Sequence, residues 1–195
     1  MIRRLFRRCY CIAAVTLIAI SLIISPQETA RAASGTCWQT GAKWSSNAVT
    51  YSIASSIPSS WISSIDNGAN AWIAVTPSPF TLSRADLSPN TVSRGTVSDD
   101  SWIAVANVFA SPTQIDRIDL VFNQNKQFTT ALPPPSNTYL VQNVATHEFG
   151  HWVFLADVTD FICTETTMYS TIAFGETKKQ SLAQADIDGL NTQYP

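Results

Sequence analysis

Two histidines, His147 and His151, are the only ones in the 195-residue chain, and both lie in the segment HEFGH. Residues four positions apart on a helix project from the same face, so both imidazoles can bind one metal ion. Glu148 is placed to take a proton from a water molecule and later pass it to a leaving amine. The pattern predicts a hydrolytic zinc site. A helix with a solvent-facing histidine pair is the competing interpretation, because HExxH also occurs in unrelated helices.

The predicted site needs a third protein ligand, since catalytic zinc commonly has three together with water. No other histidine exists, so the ligand must be a carboxylate, and Asp157, Asp160 and Glu165 are the nearby candidates. Zinc is our choice of metal, although manganese and iron accept the same ligand types. Calcium is possible but unsupported, because no twelve-residue calcium-loop pattern is present.

The elements that must position this site follow from hydrophobic periodicity. Residues 48–54 predict a half-buried strand, and apolar residues at intervals of three and four then predict a helix that stops before Pro77. Residues 79–123 predict three or four more strands, and the proline-rich ALPPPSN predicts a loop. The HEFGH helix is predicted over residues 138–156, and a C-terminal helix follows a capping box at residues 181–184. Together, these predicted strands and helices indicate an α+β domain.

The first 32 residues are typical of a secretory signal peptide. Four arginines precede an apolar run from about Cys9 to Ile24, and Ala30-Arg31-Ala32 fits the small-x-small cleavage rule. We expect cleavage after Ala32, with Ala33 as the second choice, which leaves residues 33–195 as one domain. An uncleaved membrane anchor is the alternative, and both interpretations put the domain outside the cytoplasm.

The charge of the expected mature chain argues against nucleic acid. Removal of residues 1–32 leaves 7 basic and 13 acidic residues, a net charge of −6. An acidic domain without a lysine or arginine cluster lacks the electrostatic surface that binds a phosphate backbone.

Cys37 and Cys163 are the two cysteines that remain after cleavage. In an oxidising compartment we expect them to form a disulfide between the mature N-terminus and the segment after the HEFGH helix. Closing a loop of more than a hundred residues stabilises by roughly 4 to 5 kcal/mol on the chain-entropy model. Two separate thiols are the alternative.

The segment HEFGHWVFLAD, followed by TTMYS, resembles the zinc segment and methionine turn of the metzincins, including the snapalysin-like members with an aspartate as third ligand. The resemblance implies that His147, His151 and Asp157 bind zinc, that Glu148 is the general base and that Met168 forms the methionine turn. The segments KWSSNAVTYSI, IDRIDLVFNQNKQF and QSLAQADIDGLNTQYP resemble strands and the closing helix of matrixin-like domains. That likeness implies a twisted mixed sheet with an N-terminal helix, an active-site helix and a C-terminal helix.

Two residues depart from the metzincin pattern. Phe154 stands where the family has the glycine that turns the chain sharply, and a phenylalanine is strained at positive φ. If the helix continued instead, Asp157 would lie about 240° round the axis from His151 and could not bind the same ion. Asp157 replaces the third histidine with a harder, anionic ligand. The cysteine switch of matrixin propeptides is not visible, because Cys37 lacks the surrounding motif.

The resemblance implies a secreted zinc-dependent endopeptidase that acts on a protein or peptide. We expect a monomer with no stable membrane association after signal cleavage. A catalytically inactive exported binding domain on the same scaffold is the alternative, with Phe154 as its cause. A metal hydrolase acting on a non-peptide bond would share every ligand.

Overall fold

The computed structural model describes residues 37–195 together with the backbone of Arg3 and Arg4. The predicted signal peptide lies outside the described residues apart from that pair, so its cleavage stays a prediction. Within the described part of the chain, no helix has the length and apolar character needed to cross a membrane.

Ten strands and three α-helices are found in the described residues, with three short 3-10 turns between them. The strands are β1 (Arg3–Arg4), β2 (Lys43–Trp44), β3 (Ala48–Ile53), β4 (Thr81–Arg84), β5 (Thr91–Gly95), β6 (Ala104–Ala110), β7 (Gln114–Asn123), β8 (Phe128–Thr129), β9 (Tyr139–Leu140) and β10 (Thr171–Ile172). The helices are α1 (Ile62–Ile73), α2 (Val141–Trp152) and α3 (Gln184–Gln193), and the 3-10 turns are Ser59–Trp61, Phe161–Cys163 and Lys178–Gln180.

The main sheet is mixed. Strands β2, β7, β5, β3 and β4 pair in that order and in parallel, while β6 pairs antiparallel with β7. Among the described strands β6 has β7 as its one partner, so it is an edge strand. Two small pairs, β8 with β9 and β1 with β10, lie apart from this sheet.

The alternation of β3 and the 3.6-residue period of α1 explain how these two elements bury their apolar faces. Val49 and Tyr51 are buried in β3, and Ile65, Ala69 and Trp72 are buried in α1. Three or four strands were predicted between residues 79 and 123, and the structure has four there, β4 to β7. The predicted α+β fold with a mixed sheet and three helices is confirmed.

Helix α1 lies close against α2, the helix that carries HEFGH. Gly68 makes this approach possible, because a Cβ there would lie 2.8 Å from both Ala145 Cβ and Thr146 N. The indole Nε1 of Trp72 donates a 2.7 Å hydrogen bond to the carbonyl oxygen of Thr146. Tyr51 of β3 contacts the ring of Phe149 on α2 with a centroid distance of 5.1 Å. These contacts fix α2 between α1 and the sheet.

Two predicted helix boundaries are wrong. Helix α2 is shorter than the predicted 138–156, because Tyr139 and Leu140 pair with β8 before it begins and the chain turns after Trp152. The C-terminal helix begins at Gln184 with Ala183 at its N-cap, so the capping box is not at residues 181–184. The Asp186 carboxylate instead accepts a 2.9 Å hydrogen bond from the Ala183 N–H.

Candidate metal site

Both histidines of HEFGH lie on the inner face of α2. His147 is fully buried and His151 is 5% exposed, so the solvent-facing interpretation is wrong. Nδ1 of His147 lies 2.6 Å from the carbonyl oxygen of Thr167, and Nδ1 of His151 lies 2.8 Å from that of Leu155. A carbonyl oxygen can only accept, so each Nδ1 carries the proton and each Nε2 presents a lone pair, the tautomer found in metal-ligating histidines.

The chain turns sharply at the end of α2. Leu155 N–H donates to Gly150 O and Phe154 N–H donates to His151 O, both at 3.0 Å, and this pair of bonds defines a Schellman motif. Phe154 has φ of +60°, the left-handed conformation that such a motif requires at this position. Phe154 therefore takes the conformation of the family glycine and ends the helix.

This turn brings Asp157 back to the histidines. Oδ1 of Asp157 lies 3.1 Å from Nε2 of His147 and 3.8 Å from Nε2 of His151. One ligand atom from each of the three residues lies within 4.8 Å of the other two. An anionic oxygen facing two nitrogen lone pairs at this range is repelled unless a metal cation or a proton lies between them. The donor set therefore fits a metal ion, and its two imidazoles and one carboxylate suit zinc.

The other two carboxylates considered as third ligand lie elsewhere. Asp160 accepts a 3.1 Å hydrogen bond from Ile162 N–H and caps a 3-10 turn. The Glu165 side chain is 81% exposed and lies 3.1 Å from the Lys178 ammonium. Among the residues that the structure describes, Asp157 is the carboxylate that joins the histidine pair.

Glu148 is buried beside the histidines. Burial raises its pKa well above the ordinary value, and the charge of Asp157 raises it further, while Lys179 and the backbone of Ala106 lower it in part. For His147, burial has the opposite effect and lowers the pKa to about 3, so this imidazole is neutral near pH 7. A neutral imidazole and a carboxyl group with raised proton affinity suit metal binding and proton transfer, respectively.

Met168 is fully buried beneath α2 and lies in a turn fixed by hydrogen bonds. Val158 N–H donates to Met168 O at 2.8 Å, next to the third candidate ligand. The Asp186 carboxylate accepts from Thr167 N–H at 2.8 Å and from Met168 N–H at 3.2 Å. The turn at Thr167–Tyr169, which we call the methionine turn for its position in the sequence, thus also supplies the Thr167 carbonyl that orients His147.

Two buried charged residues, Lys179 and Asp186, were not among the predicted site residues. Lys179 is 1% exposed, and its Nζ donates to the carbonyl oxygen of Tyr169, directly after the methionine turn. Burial lowers the pKa of Lys179 to about 8. For Asp186, the signal in the sequence was its place in the closing-helix segment QSLAQADIDG. Lys179 gave no signal, because adjacent lysines ordinarily indicate a solvated surface.

Cys37 and Cys163 are joined by a disulfide across 126 positions of sequence, with their Cα atoms 5.4 Å apart. Cys163 ends the 3-10 turn that follows Asp157 and is buried. The bond therefore attaches the start of the described domain to the loop between the third candidate ligand and the methionine turn.

The chain was compared with models of known protein families. The matrixin family model matches residues 43–195, which span the main sheet, the HEFGH helix, the methionine turn and α3. The chain therefore belongs to the matrixins, a family of zinc metalloendopeptidases.

Proposed function

We propose that this matrixin is a secreted zinc-dependent endopeptidase in which His147, His151 and Asp157 hold the metal and Glu148 is the general base. The observation that carries the proposal is the convergence of two imidazole Nε2 atoms and the Asp157 carboxylate within 4.8 Å. Zinc bound there supplies a Lewis acid that polarises the scissile carbonyl and acidifies water.

Glu148 moves the proton in this scheme. Its buried carboxylate accepts a proton from the attacking water and passes it to the leaving amine. A carboxyl group with a raised pKa accepts a proton more readily than an exposed one, and so Glu148 suits the role. The Nδ1 hydrogen bonds of the two histidines hold their Nε2 atoms toward the metal position throughout.

The edge strand β6 is the place proposed for the peptide substrate. An extended peptide can add its backbone hydrogen bonds to an edge strand, and β6 pairs with β7 alone among the described strands. Ala106 of β6 lies beside Glu148, so a peptide bound along this edge passes the proposed base. This placement favours an extended protein segment over a compact small molecule.

Secretion is proposed from the arginine-rich and apolar character of residues 1–32 and from the Cys37–Cys163 disulfide, which suits an oxidising compartment. We propose a monomer, free of the membrane after signal cleavage. The alternative of an inactive binding domain depended on Phe154 preventing the third-ligand turn. With Phe154 at φ +60° and Asp157 near both histidines, that reason no longer favours it.

Glu148→Gln tests the proposed base. We expect it to lower peptide cleavage about 10²- to 10⁴-fold, because the amide accepts no proton, while zinc content is unchanged. Cleavage is measured on an unfolded protein substrate, and zinc by elemental mass spectrometry. Glu165→Gln is the matched control, since its carboxylate is exposed and does not join the histidine group. A Glu148→Gln enzyme as active as this control would contradict the assignment.

A further inference from the structure

The third candidate ligand depends on a residue in a costly conformation. For a residue with a Cβ, the left-handed region is less favourable than the right-handed one, because Cβ approaches the following carbonyl oxygen, and glycine avoids that cost. Phe154 adopts this conformation only three residues before Asp157, so a shift of its backbone would move the carboxylate. Contacts elsewhere in the fold must therefore favour this turn.

The ring of Phe154 lies directly over Gly41. A Cβ on Gly41 would lie 2.1 Å from Cε1 and 2.6 Å from Cδ1 of the phenylalanine, closer than real Cβ atoms approach. The backbone of Gly41 is not in the left-handed region, so space rather than φ requires glycine here. Because Gly41 has no side chain, the ring of Phe154 can occupy the space beside its Cα.

Gly41 belongs to a segment, residues 37–44, that we call the strap. Its backbone and side chains hold the turn on both sides of Phe154. Trp44 Nε1 donates a 2.6 Å hydrogen bond to the carbonyl oxygen of Trp152, and Ala156 N–H donates a 3.0 Å bond to Gln39 O. The strap therefore brackets the turn that carries the chain from α2 to Asp157.

The strap is itself fixed at several points. Gln193 Nε2 of α3 donates to the carbonyl oxygens of Gly41 and Ala42 at 3.1 and 2.6 Å. The Cys37–Cys163 disulfide fixes its first residue. Gly41 is thus held against the turn by bonds on either side of it, so an added methyl group has little freedom to move away.

We propose that Gly41 and Phe154 are a coupled pair of positioning residues, and that the strap replaces the family glycine as the element that sets the third zinc ligand. The proposal rests on the proposed function for the identity of the ligands. It assigns the strap a role in metal affinity, beyond its contribution to the stability of the fold.

A double-mutant cycle on zinc affinity tests the coupling. The proteins are the native chain, Gly41→Ala, Phe154→Gly and the double variant, each expressed from the full chain. Zinc Kd is measured by competition with a chromophoric chelator, and the unfolding midpoint of the metal-free protein is measured by circular dichroism. Gly95→Ala is the control, because the nearest atom to a Cβ there lies 3.8 Å away.

We expect Gly41→Ala to weaken zinc binding at least about tenfold when Phe154 is present and less than about threefold when it is replaced by glycine. Gly95→Ala is expected to change zinc Kd less than about threefold. Equal weakening by Gly41→Ala in both backgrounds would overturn the proposal. So would a lowered midpoint in Gly41→Ala with unchanged zinc Kd, since that result describes a purely structural contact.

If Gly41→Ala does not fold, a double variant that folds and binds zinc like Phe154→Gly supports the coupling, and a double variant that also fails to fold overturns it. A folded native protein that binds no zinc would contradict the proposed function and with it this inference. Normal zinc binding by the native protein without coupling in the cycle would contradict the inference alone.

Discussion

At the scale of single residues, the site concentrates ionisable groups that are ordinarily exposed. Glu148, His147, Asp186 and Lys179 are all buried within or next to the candidate metal site. Burial penalises the charged form of each group, which raises the pKa of the carboxyl groups and lowers that of the histidine and the lysine. Stability is therefore expected to depend on pH through these side chains.

Lys179 gives the clearest such prediction. Its pKa is about 8 in the folded protein and about 10.5 when exposed, so the unfolded chain binds more protons between these values and stability rises with pH there. Relative to Lys179→Met, the metal-free native protein should gain about 2 kcal/mol in free energy of unfolding from pH 7 to 9.5. Urea unfolding at both pH values measures this. The raised pKa of Tyr194, about 12, acts above this window.

Lys178→Met is the control for this experiment, because its side chain is 36% exposed and it neighbours Lys179 in sequence. It should gain nearly as much stability with pH as the native protein, and slightly less because the Lys178 charge contributes to lowering the pKa of Lys179. A parallel change in the native protein and Lys179→Met would show that the buried ammonium does not carry the predicted dependence.

At the scale of elements, α2 packs closely against the methionine turn at Gly150, a residue of HEFGH. A Cβ there would lie 2.1 Å from Met168 Sδ and 2.8 Å from Trp72 Cζ2. The glycine thus lets the methionine turn, whose Thr167 carbonyl orients His147, lie directly against the helix. Helix propensity and tertiary packing make opposite demands at this position.

Gly150→Ala decides between those demands. Alanine favours an isolated helix by about 1 kcal/mol over glycine, but overpacking of a buried contact costs typically 1 to 3 kcal/mol. Because the Cβ would overlap both Met168 and Trp72, we expect Gly150→Ala to lower the free energy of unfolding by about 1 to 3 kcal/mol. Urea unfolding of the metal-free protein measures it, with Gly95→Ala as control. A variant as stable as the native protein would refute the close-packing argument.

The end of α2 is the feature that the sequence pattern predicted wrongly. Hydrophobic periodicity gave β3, α1, the later strands and the presence of α2, because the pattern reports which side chains are buried. It extended α2 to residue 156, since Val153 and Phe154 continue the apolar pattern of the helix. In the structure Val153 and Leu155 are indeed buried. Their burial comes instead from the turn, and the φ of Phe154 leaves no trace in periodicity. The choice of Asp157 over Asp160 depended on that angle and could not be made from the residues alone.

At the scale of the whole molecule, distant parts of the chain meet behind the site. The strap from the N-terminal side lies against the turn after α2 and bonds to Gln193, about 150 positions later. Apart from the disulfide, which two remaining cysteines predicted, none of these contacts could be anticipated. They depend on shape complementarity such as Gly41 against Phe154, which composition and spacing do not encode. Activity is therefore expected to depend on residues far from HEFGH in sequence.

The most direct test of the three-residue metal site is the zinc content per chain of the purified protein and of Asp157→Ala, measured by elemental mass spectrometry. Asp160→Ala is the matched control, because Asp160 caps the 3-10 turn beside the site without joining the ligand group. We predict about one zinc in the native protein and in Asp160→Ala, and a small fraction of that in folded Asp157→Ala. A folded native protein without zinc, or Asp157→Ala with as much zinc as the control, would contradict the three-residue site.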